Sequence, residues 1–279
     1  VKHIDHFFET ARERYRVRCK KRNGEPFPWT EDTILKTWSF CNVHREDDRT
    51  TIWFRENVRS KRLTHLQMVE ACLIFRWFNR IETGEAVIDL LLEGWHSETA
   101  RERLDDVQPI FTGAYIIRSP FGESKLDGIL AAIDRSREML PDMMPSFTSL
   151  FSAWQALKQL PYMGSFTSYE VVTDLRWTPV LESAPDIMTW AAAGPGCARG
   201  LSRVLNGSVN HFNYNSARDQ IAMNAMMQVI LKMSQQGDYW PNFWRPWEMR
   251  EVEHWACEYD KYCRAQEGWN LKRRYKVRP

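Results

Sequence analysis

The chain has 279 residues, with 38 Lys and Arg against 36 Asp and Glu, giving a formal net charge of +2. Its 43% hydrophobic and 27% charged residues are the mix of a globular protein, which excludes a disordered tail, a collagen-like fibre and a polybasic nucleic-acid arm. The length suits one large domain or two small ones, each able to bury a core without cross-links. Taken alone, the near-neutral total argues against a DNA-binding protein.

The opening segment, residues 3–22, sets Ile4, Phe7, Phe8, Ala11 and Tyr15 on one stripe. That i, i+3, i+4 spacing predicts an amphipathic helix, stopped by Asn23-Gly24 and Pro26. Helical periodicity recurs over 62–79, 97–107, 124–138, 146–158, 165–176, 218–235 and 248–266, with Thr64, Ser97 and Ser216 as candidate caps. The best strand candidate is 110–117 (IFTGAYII). The fold expected is mainly α, a single helical unit over 1–279 that can also be read as two lobes with a cleft between them. Thirteen Trp are present; Trp240, Trp244 and Trp247 cluster in the Pro-broken stretch YWPNFWRPW. Large aromatics by default pack helices, and stacking on a base is the alternative.

Six cysteines, Cys19, Cys41, Cys72, Cys197, Cys257 and Cys263, are scattered without a CxxC pair, so no zinc ligand or redox dithiol is assigned. Cys257 reads as buried packing, and His44, His211 and His254 as structural. No apolar run nears the ~20 residues that cross a bilayer, and the first residues alternate charge and aromatics, unlike a secretory signal. A cytoplasmic protein with reduced thiols is expected.

The first chemical signal lies at 157–170. A helix is expected to end at Leu160, Pro161 to force a turn, and Gly164 to permit a positive φ or a close approach. A new helix then starts with Ser165 or Thr167 near its cap, leaving backbone N–H groups aimed outward as an anion site. A plain helix connection inside a core would read the same way. The Leu160-Pro161-x-Met163-Gly164 pattern resembles the helix-hairpin-helix of base-excision DNA glycosylases. In that family the hairpin grips a DNA phosphate, through Pro161, Met163, Gly164, Ser165 and Thr167 here, and an Asp beyond it enters the pocket for a flipped base. Asp174 and Asp186 both follow, Asp186 being 22 residues past Gly164. The lyase Lys of bifunctional members is replaced by Phe166, and only Cys257-x5-Cys263 is available for a cluster. Schiff-base chemistry and an iron–sulfur centre are therefore unsupported.

A narrower resemblance rests on five blocks in order. Asn42-Val43-His44-Arg45-Glu46-Asp47-Asp48-Arg49 is similar to the Asn-Val-x-Arg-x-x-Asp-Arg block of a phage family. Phe111-Thr112-Gly113-Ala114-Tyr115-Ile116, Thr173-Asp174-Leu175-Arg176-Trp177, Gly194-Pro195-Gly196-Cys197-Ala198-Arg199-Gly200-Leu201 and Glu253-His254-x-x-Cys257-Glu258-Tyr259-Asp260-Lys261-Tyr262 resemble its other blocks. The family comprises the α-glutamyl/putrescinyl thymine pyrophosphorylases, the amino acid:DNA transferases and the helical domain attached to 5-hydroxymethyluracil DNA kinases. The resemblance implies a DNA-glycosylase-like helical fold used in thymidine hypermodification of phage DNA, in an infected host cell. There a transferase displaces pyrophosphate from 5-pyrophosphoryloxymethyl-uracil with an amine. No GxxxxGK[ST] phosphate loop occurs and the helical blocks fill the chain. A transferase joining an amino acid such as glycine is therefore favoured over a non-catalytic DNA-binding module serving a kinase, or a monofunctional glycosylase.

That reaction needs double-stranded DNA with its modified base flipped out, a small amine or amino-acid co-substrate, cations for the departing pyrophosphate and a base for the amine. No membrane partner is expected. No cofactor is assigned with certainty, and Mg²⁺ is admitted as a charge neutraliser. Arg45 and Arg49, four apart, are expected on one helical face with Asn42 a turn earlier. Arg199 follows a Gly-Pro-Gly turn that reads as a second phosphate nest. Glu258 and Lys261 complete the candidate substrate-binding set, and Asp186 or Asp174 is the expected base. Each has a plainer alternative. Arg45–Asp48 or Arg49–Glu46 would make a helical ion pair, Arg199 a helix cap, and Glu253 and Lys261 surface pairs.

The charge is unevenly placed. Residues 12–22 hold seven basic side chains and one acid, Glu13; residues 264–279 hold six and one, Glu267. The +2 total is thus a cancellation between two basic ends and an acidic body, and binding to phosphates depends on local contacts rather than net charge.

Overall fold

Eight helices form where the apolar periodicity places them; the remaining elements come from segments too short or too glycine-rich to display it. The computed structural model describes residues 2–114 and 118–275. Among these residues the chain is helical, and its β contact is an isolated bridge between Trp38 and Arg274. The strand expected at 110–117 does not form over 110–114, which is bend and turn; residues 115–117 lie outside the described residues.

Two compact units divide the chain: Val1–Asp48 with Met188–Pro279 (unit 1), and Arg49–Ile187 (unit 2). Unit 1 opens with α1 (Ile4–Arg22) and α2 (Thr33–Thr37). Unit 2 supplies α3 (Arg49–Phe54), α4 (His65–Phe78), α5 (Ile81–Ala86), α6 (Ile88–Glu93), α7 (Ser97–Leu104), α8 (Lys125–Met143), α9 (Leu150–Leu157) and α10 (Ser165–Leu175). The chain returns to unit 1 for α11 (Pro195–Asn206), α12 (Ala217–Ser234) and α13 (Met249–Gln266).

Helix α4 is the axis of unit 2. Its sequence HLQMVEACLIFRWF is apolar nearly all round, which suits a helix surrounded by others, and every residue from Ala71 to Phe78 is buried. Thr64 closes its start as expected, in a capping box with Gln67, and Asn79 ends it in the left-handed conformation. The neighbouring α10 is buried from Ser168 to Leu175. At α7 the cap position falls on His96, and Ser97 instead donates its hydroxyl to Asp134 at 2.7 Å.

In unit 1 the α1 stripe behaves as its spacing requires. Ile4, Phe7, Phe8 and Ala11 are buried and Tyr15 is half-buried. The tryptophan cluster resolves in favour of packing. Trp240 and Trp247 are buried, with Trp247 against Phe7 and Phe8 and Trp240 against Tyr15. Stacking on a ligand is thereby excluded for these two rings. The Gly194–Leu201 block, expected as a turn, is instead the N-cap and first half of α11, with Pro195 in its first turn. Its glycines serve close packing: a Cβ on Gly200 would overlap the Ala256 carbonyl of α13, and one on Gly196 the Cys257 sulfur.

Candidate functional site

In unit 1 three segments remote in sequence converge: the loop 40–48, the N-terminal half of α11, and α13. The loop is built by Asn42. Its side-chain amide donates to the Asp47 carbonyl at 2.8 Å and to Asp48 Oδ1 at 2.9 Å, while its oxygen accepts from Arg14 at 2.8 Å. With the Asn42 backbone N–H also on Asp48 Oδ1 at 3.0 Å, this side chain is spent on shaping the turn. The expected role of Asn42 as a substrate reader is corrected accordingly. Next along the chain, Arg45–Asp47 form a 3-10 turn, Asp48 is extended, and α3 begins only at Arg49. Arg45 and Arg49 therefore share no helical face, because the extended Asp48 interrupts the helix that their spacing presupposes. They also belong to different units.

The loop is fastened to α13 through Glu258, whose Oε2 accepts from the Cys41 N–H at 2.8 Å and from Lys261 Nζ at 3.2 Å. Lys261 also lies over the Phe40 ring, 4.7 Å from its centre. Arg199 donates from Nε to Asp260 at 2.9 Å with 40% of its side chain exposed. Asp260 is fully buried and also receives Arg203 at 3.0 Å and Arg264 at 3.2 Å. Glu258 and Asp260 thus hold cations in place, and Lys261 and Arg199 each keep part of their surface toward solvent. The helix-cap alternative for Arg199 does not occur, since it sits near the start of α11 and pairs sideways.

Between these anchors lie groups that spacing rules pass over. Cys41, Asp48 and His254 offer ligand atoms within 4.8 Å of one another. Cys257, one turn along α13 from His254, is exposed rather than buried, because Gly196 opposite leaves it room. Both thiols reach solvent, yet the protein around them raises their pKa, that of Cys257 to about 12. Desolvation holds His254 well below the usual histidine range, aided by Arg250 and Arg45. Burial pushes Asp48 up, opposed by its hydrogen bond from Asn42 and by Arg45 and Arg14. His254 and Cys257 share a face in the last block, which was legible; Cys41 and Asp48 reach them only through tertiary folding.

Unit 2 holds the hairpin. Helices α9 and α10 are joined by a turn in which Leu160 and Met163 are buried. The positive φ falls on Tyr162, and Gly164 is extended at the cap of α10, where an added Cβ would meet nothing within 4 Å. The expectation of a left-handed Gly164 is thus corrected. Met163 anchors the turn and offers a ligand no side chain. No side chain caps α10 at Gly164, so no cap side chain covers the N-terminal turn that holds Ser165 and Thr167, beside half-buried Pro161.

The two candidate bases have structural partners in this unit. Asp174 is 1% exposed, and both its oxygens are taken by Arg76, Oδ2 by Nε and Oδ1 by Nη2 at 2.7 Å. Burial and pairing remove Asp174 from the candidate bases. Asp186 accepts from the N–H groups of Leu150 at 2.8 Å and Phe151 at 2.9 Å, at the start of α9, and stays half-exposed. Asp186→Ala should cost about 0.5–2 kcal/mol as a lost helix cap, measured by the urea midpoint.

The basic stretches meet on unit 1. The Tyr275 N–H bonds the Thr37 carbonyl at 2.8 Å and Ser39 the Arg273 carbonyl at 3.0 Å, while Lys21 reaches the Tyr275 hydroxyl at 3.2 Å. Lys21, Arg22, Lys272, Arg273 and Arg274 are exposed. Arg12, Arg14 and Arg18 instead bond the protein, Arg18 through Asp47 at 2.5 Å. No helix among the described residues is long and apolar enough to cross a membrane.

Comparison with known proteins bears on these segments. The family described as "5-hmdU DNA kinase, helical domain" matches residues 1–270. A 5-hmdU DNA kinase of Bacillus phage SP10 is 25% identical over 272 residues, covering 86% of this chain and 41% of that protein. The chain therefore spans less than half the length of that relative. No solved structure matches. With the match running from α1 through α13, the chain belongs to the family of 5-hmdU DNA kinase helical domains.

Proposed function

We propose that this chain acts in 5-hydroxymethyluracil modification of DNA, as a transferase that replaces the pyrophosphate of 5-pyrophosphoryloxymethyl-uracil with an amine. The observation that carries the reading is the convergence on α13 of two part-exposed cations, Arg199 and Lys261, each held by a buried carboxylate. Such pinned cations lose little entropy on binding an anion and neutralise charge as it develops. In the step itself the amine nitrogen bonds the methylene carbon while the carbon–oxygen bond to pyrophosphate breaks. Pyrophosphate leaves with the electron pair, and the nitrogen proton passes to a base. In unit 2 the N-terminus of α10, without a side-chain cap at Gly164, supports a phosphate grip at Ser165 and Thr167, in the manner of a helix-hairpin-helix.

The test incubates DNA carrying the activated base with this protein and a mixture of amines, followed by nucleoside mass spectrometry. A mass-shifted nucleoside with free pyrophosphate is expected; no product with any amine would sink the reading. The match to a kinase's helical domain favours a second reading, a module that binds modified DNA for a kinase. Binding without turnover by this chain is the outcome that selects it.

DNA binding should depend on the exposed basic patch. Replacing Lys272, Arg273 and Arg274 by Ala should lower the slope of log K against log salt by about 3, near one unit per lost phosphate contact. A slope unchanged by the triple replacement places the DNA elsewhere.

A further inference from the structure

The Cys41, Asp48 and His254 cluster has no part in the transfer chemistry above, and its composition is unusual for a chance meeting. A thiol, a carboxylate and an imidazole bring their ligand atoms within 4.8 Å of one another. Around a tetrahedral zinc ion, with bonds of about 2.0–2.3 Å, such atoms stand about 3.5 Å apart. Closing the cluster onto an ion therefore takes side-chain adjustments of about an ångström.

Histidine supplies the second observation. His254 Nε2 is buried with no hydrogen-bond partner. An imidazole nitrogen shut away from both water and protein donors loses the worth of a hydrogen bond unless something else occupies it. Asp48 is oriented comparably, by two donations from Asn42 to its Oδ1.

We propose that Cys41, Asp48 and His254 form a zinc site in unit 1. A thiolate, a carboxylate and a neutral imidazole carry two negative charges, which a divalent ion cancels. The thiolate selects zinc over Mg²⁺, a hard ion that prefers oxygen ligands. Three protein ligands leave a fourth position open, as at catalytic rather than purely structural zinc centres. The ligands come from residues 41, 48 and 254, so no short-range Cys/His spacing announces them. The site stands whether the chain transfers an amine or only binds DNA.

The test uses the whole chain, purified metal-free under reducing conditions. Titration with zinc against a chromophoric chelator should give a single equivalent, undisturbed by excess Mg²⁺. Cobalt in place of zinc should show a sulfur-to-metal charge-transfer band. Cys41→Ser should abolish that band and weaken zinc binding by at least the ~10–100-fold typical of outer-shell changes, whereas Cys257→Ser should retain both. A band that persists in Cys41→Ser, or one lost in Cys257→Ser instead, overturns the assignment. A readout without substitution protects against a misfolded variant: X-ray absorption of the zinc-loaded, unaltered protein should show one sulfur ligand at about 2.3 Å among nitrogen and oxygen ligands at about 2.0–2.2 Å. A zinc shell without sulfur, or with two, overturns the proposal as well.

Discussion

Arg76→Met should destabilise the protein by about 3–5 kcal/mol, the range for removing one partner of a buried ion pair. Both side chains are 1% exposed, so the Asp174 carboxylate left behind has neither water nor a full substitute. Arg59 approaches it, with Nη1 3.9 Å from Oδ1, too far for a normal hydrogen bond. The loss extends further, since Arg76 also donates to the Asn79 side chain at 2.6 Å, where α4 ends in its left-handed cap. A fall in the urea midpoint measures the effect. Replacing both partners, as in Arg76→Met with Asp174→Leu, should recover most of it, because a matched apolar pair carries no stranded charge. The double replacement also separates structure from chemistry. If Asp174 were the base, restoring stability would leave turnover absent; a structural Asp174 allows turnover to return with the fold. A single variant as stable as the unaltered protein removes the ion pair from the account of unit 2.

What the amino-acid sequence disclosed follows from the range of the interactions concerned. The long helices α1, α4, α8, α10, α12 and α13 carry apolar stripes or runs over three or more turns, so periodicity finds them. Short elements such as α2 and α5, five and six residues long, offer too few repeats. The Gly-Pro-Gly start of α11 misleads for a different reason. Gly and Pro are punctuation in isolation, but here Pro195 occupies the first helical turn, where its missing N–H costs nothing. Gly200 is a contact surface for another helix. Helix propensity was overridden by tertiary packing, which a local reading cannot weigh.

The candidate site shows the same division. Arg199, Glu258 and Lys261 come from two blocks far apart in sequence, and folding ties Arg199 of α11 to Asp260, between Glu258 and Lys261 on α13. Arg45 with Arg49 failed because the i, i+4 rule holds only inside an uninterrupted helix, and extended Asp48 breaks it. Asp174 failed because a sequence shows a carboxylate but not its partner, and Arg76 lies 98 positions away. The charge asymmetry read from the two ends was informative but too generous. Four of the α1 arginines, Arg12, Arg14, Arg16 and Arg18, bond the protein, and of the basic residues in 12–22 only Arg16, Lys21 and Arg22 are exposed.

Gly200→Ala should be damaging although Ala favours helices over Gly by about 1 kcal/mol. The added methyl would sit inside the van der Waals envelope of the Ala256 carbonyl oxygen and carbon. Those atoms belong to the backbone of α13 and cannot rotate aside, so α11 and α13 must separate. Overpacking of this kind costs about 1–3 kcal/mol and occasionally more, which outweighs the propensity gain. Separation also strains the bonds that tie the two helices, Arg199 and Arg203 to Asp260 at 2.9 and 3.0 Å. The site cations and the core of unit 1 are therefore loosened together. Gly196→Ala supplies the contrast: its methyl meets the Cys257 sulfur, the end of an exposed side chain that can turn away. Its urea midpoint should stay closer to that of the unaltered protein than that of Gly200→Ala, because a thiol end yields where a backbone carbonyl cannot. Urea midpoints of the two variants measure the difference, and hydrogen exchange along α11 shows where it arises. Equal midpoints would mean that α13 yields as readily as a thiol, and that the close approach of α11 and α13 contributes little to the stability of unit 1.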